Sequence, residues 1–315
     1  MTNIKYDLFK EKFAADLKVK LNEQGADVKV SVNNVNKLNE SYEAVTVTPA
    51  GSNTGVTIRI DMFYDAMKNG KSYDEIVDKA VDVVNNDITH RPCFDIGSLS
   101  DYSQMKKKLA MEVVSAEANN EMLETIPHQN MEDLAVVYRF ILNSDDSEAS
   151  ILVTNKLLAN MRVTPEQLHS DAIKNAPLIK PVVIKGISEF MVEKLGIERA
   201  KMMGIVLVAP EDECMYVASV LDETYGASVI AYKDFMDMAT EKSGGDFYIL
   251  PSTIHEVIIV PDNGALDLKY LEFFVKTVNS TQVLPKDKLS DNVYHYDSQA
   301  KIFELGEKFI ARQAG

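Results

Sequence analysis

The strongest constraint on this chain is a grammar that recurs along it: two β-branched runs split by a turn signal, a short helix, then a longer capped helix. Tyr42 to Thr48 and Gly55 to Asp61 flank Pro49-Ala50-Gly51-Ser52-Asn53, which predicts a β-hairpin with a longer loop. A short helix is expected at Phe63 to Met67, stopped by Asn69-Gly70. Ser72 and Glu75 then make a capping box ahead of Ile76, Val77, Ala80, Val81 and Val84. The pattern returns with strands at Leu134 to Leu142 and Ala149 to Thr154, and a short helix at Lys156 to Asn160. Thr164 and Gln167 form the next capping box, with Pro165 at the first helical position, where its missing N–H costs nothing. A third, looser copy pairs Met215 to Leu221 with Gly226 to Ile230, then a helix at Lys233 to Glu241. Gly226-Ala227-Ser228-Val229-Ile230 resembles Glu148-Ala149-Ser150-Ile151-Leu152 of the second copy.

A hairpin exposes one apolar face, and the amphipathic helix that follows can cover it. The chain therefore reads as α+β, with antiparallel β-hairpins covered by helices in recurring strand-turn-strand-helix units. At 315 residues a single core reaches its upper size, so subdomains are expected over residues 1–100, 101–200 and 201–315. Before the first unit, residues 4–21 form an amphipathic helix with Ile4, Leu8, Phe13, Leu17 and Leu21 on its stripe, followed by a half-buried strand through Val28, Val30 and Val32. Near the C-terminus, strands are expected at Asp246 to Leu250 and Glu256 to Val260, the second apolar enough to sit centrally in its sheet. A helix at Asp267 to Asn279, a hairpin within Val293 to Phe303 and a terminal helix follow. Ile58, Ile60, Val136, Val137, Ile151, Val153, Val229, Ile258 and Ile259 are the expected buried strand residues.

Charge and cysteine usage narrow the function. With 48 acidic and 33 basic residues the net charge is −15, which repels polyanions; Lys106-Lys107-Lys108 is the single basic cluster, so nucleic acid is not the expected partner. No apolar run reaches 18 residues, and the charged N-terminal stretch does not read as a signal peptide. Cys93 and Cys214 stand far apart, which supports neither a disulfide framework nor a zinc ribbon. A cytoplasmic location without membrane contact is expected.

The motifs that carry chemistry are mostly incomplete. Asn69-Gly70-Lys71-Ser72 ends like a phosphate-binding loop, but Asp65 stands where the first glycine belongs and the segment joins two helices. His255-Glu256 begins a zinc-protease motif, yet Ile259 replaces the second histidine; His90 and Cys93 find no further ligands nearby. No GxGxxG occurs, so neither a cofactor nor a metal is expected. The first site candidate is the Pro251 to Glu256 turn, where Ser252 and His255 lie beside the most apolar strand. Glu256 follows His255 directly and points to the opposite face, so it does not orient that imidazole. The second candidate is His128, in the loop before Leu134 to Leu142. That strand carries Arg139, for which Asp133 or Glu132 is the expected partner.

Around these segments the phrases IPHQNMEDLAVVYRFIL, ASILVTNKLL, TPEQLHSDAIKN, GGDFYILPSTIHEVIIVPD and VNSTQVLPKDKLSDNVYHYD, with GVTIRIDMFYDAMKNGKSYDEIVD upstream, resemble a domain-of-unknown-function family of gut Gram-positive bacteria. The resemblance spans nearly the whole chain and implies a bacterial cytoplasmic protein, without an activity, cofactor or catalytic residue. The expected function is a non-enzymatic binding or regulatory protein acting through protein contacts. The alternative is a hydrolase using His255 with Ser252 or His128.

Overall fold

The computed structural model describes residues 6–52, 55–89, 101–144, 147–251 and 253–315. The chain forms two compact units, residues 1–94 and 95–315. The sequence readings at Ile4, His90, Cys93 and Ser252 lie outside the described residues.

In the first unit, α1 (Tyr6–Glu23) precedes strands β1 (Val28–Lys37), β2 (Glu40–Pro49) and β3 (Val56–Arg59), then α2 (Ile60–Lys68) and α3 (Tyr73–Thr89). The strands make one antiparallel sheet in the order β1-β2-β3. Phe9, Phe13, Leu17 and Leu21 recur every fourth residue on α1 and pack with Val45, Val47 and Ile58 of the sheet and Ile76, Val77, Ala80, Val81 and Val84 of α3. Leu8, expected on that stripe, is exposed, and Phe9 takes its place because the i, i+4 register runs through Phe13. Ile60 is fully buried as expected, but it opens α2 instead of ending β3.

The glycine-lysine-serine segment is a helix junction. Gly70 adopts φ +94°, and the Lys71 N–H returns to the Ala66 carbonyl at 3.1 Å while the Gly70 N–H bonds the Met67 carbonyl at 3.0 Å, closing the end of α2. Ser72 then caps α3: its N–H donates to Glu75 Oε2 at 3.0 Å, and the Glu75 N–H donates to Ser72 Oγ at 3.3 Å.

The second unit holds two antiparallel sheets. After the short α4 (Tyr102–Met105), β4 (Leu109–Ser115) leads through α5 (Asn120–Leu123) to β5 (Gln129–Met131), β6 (Leu134–Ser144) and β7 (Ser147–Leu152). The long β6 pairs with β4 on one edge, and with β5 and β7 on the other. Helices α6 (Asn155–Met161) and α7 (Pro165–Ile179) follow, and α7 packs on β4. Thr164 Oγ1 accepts the Gln167 N–H at 3.2 Å, while the Gln167 side chain bonds Asp171 rather than closing the box.

Next come β8 (Val182–Gly186), α8 (Ile187–Leu195), α9 (Ile197–Met202), β9 (Tyr216–Val220), α10 (Phe235–Ser243), β10 (Phe247–Leu250), β11 (Val257–Pro261), α11 (Leu268–Thr281), β12 (Tyr294–Asp297), β13 (Ile302–Leu305) and α12 (Gly306–Ala314). Six of these strands form one sheet ordered β13-β12-β10-β11-β9-β8, drawing strands from both sides of residue 200. The run read as central, β11, does lie inside it, with Val257, Ile259 and Val260 buried and Ile258 half-buried. Leu268, Leu271 and Val275 of α11 pack on Tyr248, Leu250 and Val260. Strands β4, β5 and β8 have no counterpart in the sequence reading.

The fold is α+β, with three antiparallel sheets and helices between them. The first two hairpin–helix copies form as expected; the third does not. Residues Gly226–Ala231 are a 3-10 helix, not a strand, and Val229 is buried within it. A β-carbon at Gly226 would collide with Ser219 Oγ and the His255 carbonyl, and Tyr225 before it adopts φ +57°. That close approach turns the chain into a compact buried segment packed on β4 and β9.

Candidate functional site

His255 sits in the turn that joins β10 to β11, and the turn is held by its own side chains. Thr253 Oγ1 accepts the His255 N–H at 2.9 Å and donates to Glu256 Oε1 at 3.0 Å. The buried Ile254 donates its N–H to the Asp287 carbonyl at 2.9 Å, which ties the turn to the loop after α11. The Ser219 hydroxyl of β9 donates to the His255 carbonyl at 2.7 Å.

The imidazole itself is engaged at both ends. Its Nδ1 accepts the Tyr225 N–H at 3.3 Å, which places the ring proton on Nε2, 3.8 Å from Asp287 Oδ1. The ring stacks on Tyr225 with centroids 5.9 Å apart and planes at 22°. A general base needs a free lone pair aimed at a hydroxyl. Here that lone pair meets a backbone N–H, and Thr253 spends its hydroxyl on Glu256. Among the described residues, no hydroxyl bonds the His255 ring.

His128 lies apart from this arrangement. Its Nδ1 donates to the Ile126 carbonyl at 3.2 Å, just before β5. Among the described residues, no hydrogen bond, ion pair or ring contact joins it to His255.

Arg139 does have a carboxylate partner, but neither of the two expected. Its Nε donates to Glu112 Oε2 at 2.5 Å, its Nη1 to Ser150 Oγ at 3.3 Å, and its guanidinium lies 5.2 Å from the Tyr225 ring centroid. The β4–β6 register sets Ala110 opposite Arg139, so Glu112 is its diagonal neighbour. Glu112 is only 2% exposed, and burial pushes its carboxyl above the ordinary range against the pull of Arg139, His255 and Lys180. Asp133 instead accepts from the Tyr294 hydroxyl at 2.7 Å, Ser290 Oγ at 2.7 Å and Asn292 Nδ2 at 3.0 Å. Glu132 pairs with Lys308 at 2.6 Å. The signal for Glu112 was present in the sequence: a lone acid within the apolar run LAMEVV and a lone base within LAVVYRFIL.

A different surface stands out by exposure. From α9 onward, Ile197, Met202, Met203, Val206, Leu207 and Val208 are all exposed, Met202 at 87%, Val206 at 66% and Leu207 at 58%. Gly204 at φ +76° ends the helix, and the following residues to Ala209 belong to no helix or sheet. Six apolar residues of this size facing water within one short stretch are unusual unless something covers them.

Among the described residues, no helix is long and apolar enough to cross a membrane, and no group of three His, Cys, Asp or Glu could hold a metal ion.

Fold and site together define an α+β protein with an interlocked polar turn and a separate exposed apolar run. The chain belongs to a family of unknown function, DUF5688, whose model matches residues 6–298. Comparison with curated proteins and with solved structures finds no match.

Proposed function

We propose that this protein is a non-enzymatic binding or regulatory protein that works through contact with another protein. The observation that carries this reading is the exposed run from Met202 to Val208. Apolar surface of this kind is stabilised by removal from water, at about 25 cal/mol per Å². The net charge of −15 points to protein rather than nucleic acid as its cover. The occupied lone pair of His255 supports binding over hydrolysis.

The test is affinity capture from the native cell with the wild-type chain and with Val206→Glu/Leu207→Glu. A specific protein recovered by the wild type and lost by the variant is expected, with circular dichroism unchanged. The same recovered set from both would overturn the reading.

A further inference from the structure

We propose that the first unit carries a binding groove for a single-chain amphiphile with one anionic head, such as an alkyl carboxylate. The residues of this groove belong to that unit alone, and none is shared with the Met202 to Val208 run.

Strand β3 is an edge of its sheet, and a groove of about 600 Å³ lies where residues of β3, α2 and α3 meet. Cavities of that volume hold small-molecule ligands. Its lining is apolar at the core side: Ile58 of β3 and Ile76 of α3 are buried, and Phe63 and Val83 are half-buried against the same cluster. Met62 of α2 adds an exposed thioether, an adaptable surface for an alkyl body. Glu75, Lys79, Val83 and Asp87 also line the groove and fall four residues apart on one stripe of α3. The groove therefore follows that helix for about 18 Å, an outline that suits an extended chain better than a compact ring.

Charge selects the head group and its direction. In a chain of net charge −15, this lining holds Arg59, Lys71 and Lys79 against Glu75 and Asp87. Arg59 is committed, with Nε and Nη2 on Asp61 at 3.1 and 2.7 Å and Nη1 on Glu40 at 2.7 Å. Glu75 spends its carboxylate on the Ser72 N–H and hydroxyl, at 3.0 and 2.9 Å. Lys71 and Lys79 are exposed and, among the described residues, make no hydrogen bond or ion pair. Two uncommitted ammonium groups beside apolar walls attract an anionic head through charge-assisted hydrogen bonds, while their own stems extend the apolar surface. Asp87 stands at the other end of the stripe and repels a second anionic head. The head thus lies toward the start of α3 and the tail runs along Val83.

The experiment is isothermal titration calorimetry of the full chain with decanoate, kept below its micelle concentration. Saturable binding at one site is expected. Lys71→Glu and Lys79→Glu should each weaken it about fivefold, the scale of one exposed charge pair. Met62→Glu puts a carboxylate on the apolar wall and should abolish it. All three positions are exposed, so melting temperatures should not change. Decyltrimethylammonium, with the same tail and the opposite charge, should not bind, and Val206→Glu/Leu207→Glu should bind decanoate like the wild type. Absence of saturable decanoate binding, or binding indifferent to Met62→Glu, overturns the groove. Equal binding of decyltrimethylammonium, or binding unmoved by both lysine reversals, overturns recognition of the anionic head. Loss of binding in Val206→Glu/Leu207→Glu places the amphiphile on that run and overturns the site.

Discussion

Arg139 and Glu112 meet diagonally across two paired strands, Nε to Oε2 at 2.5 Å, with the carboxylate almost wholly buried. A buried pair contributes little net stability, but removing one member strands the other's charge. Arg139→Met or Glu112→Leu alone should cost about 3–5 kcal/mol in urea unfolding. The double variant should recover most of it. Additive losses would show that the two side chains act independently.

Gly226 is a steric requirement of the same region. Gly226→Ala would push a methyl group against Ser219 Oγ and the backbone at His255 and Val220. A loss of about 1–3 kcal/mol is expected. Adding Ser219→Ala should not restore it, since the backbone contacts remain; full rescue would mean that only the hydroxyl is in the way.

His255 holds two loops together through its ring. His255→Ala removes the acceptor for the Tyr225 N–H and should destabilise by about 1–3 kcal/mol. His255→Gln keeps a side-chain acceptor and should regain much of the loss. If the two variants unfold alike, the Nδ1 contact carries no stability.

His295 predicts acid sensitivity. It is fully buried, stacked on Phe309 of α12 with centroids 3.5 Å apart, and its Nε2 lies 3.2 Å from Asp262 Oδ2. Among the described residues its Nδ1 has no hydrogen-bond partner. Burial lowers its pKa, against the opposing pull of Asp262, Asp246 and Asp297. The unfolded chain therefore takes up a proton first as pH falls below about 6.5, and stability present above that pH is lost toward the lower folded value. The melting temperature should fall between pH 7 and 5, and fall less in His295→Gln. His169, lowered by burial as well, adds a slope of the same sign in both proteins. Equal slopes for the two would rule out His295 as the source.

The two helix caps offer the simplest check. Ser72→Ala and Thr164→Ala should each cost about 1 kcal/mol. Ser72 makes the fuller set of bonds, in both directions with Glu75, whereas Thr164 makes the single backbone contact seen at Gln167. A larger loss at Thr164 than at Ser72 would contradict that geometry.

What could be read from the sequence was local. The hairpins at Tyr42 and Leu134, the caps at Ser72 and Thr164, and the stop at Gly70 depend on residues within a few positions of one another. The third hairpin failed because GASVI carries the same apolar content as a strand, while its conformation depends on Ser219 and the distant carbonyl of His255. The His255 turn was placed correctly between two strands. Its chemistry was not visible, because the Tyr225 N–H and the Asp287 carboxylate arrive from 30 and 32 positions away.

The sequence by itself determined the α+β class, most helices and strands, and the acidic charge, since hydrophobic periodicity and capping act over single turns. Only the tertiary structure decided that Arg139 meets Glu112 rather than Asp133. Strand register aligns residues far apart in the chain, and one diagonal step in it outweighs proximity in sequence. It alone also decided which apolar residues stay in water. Val206 and Leu207 are apolar yet exposed, and among the described residues no strand pairs with them.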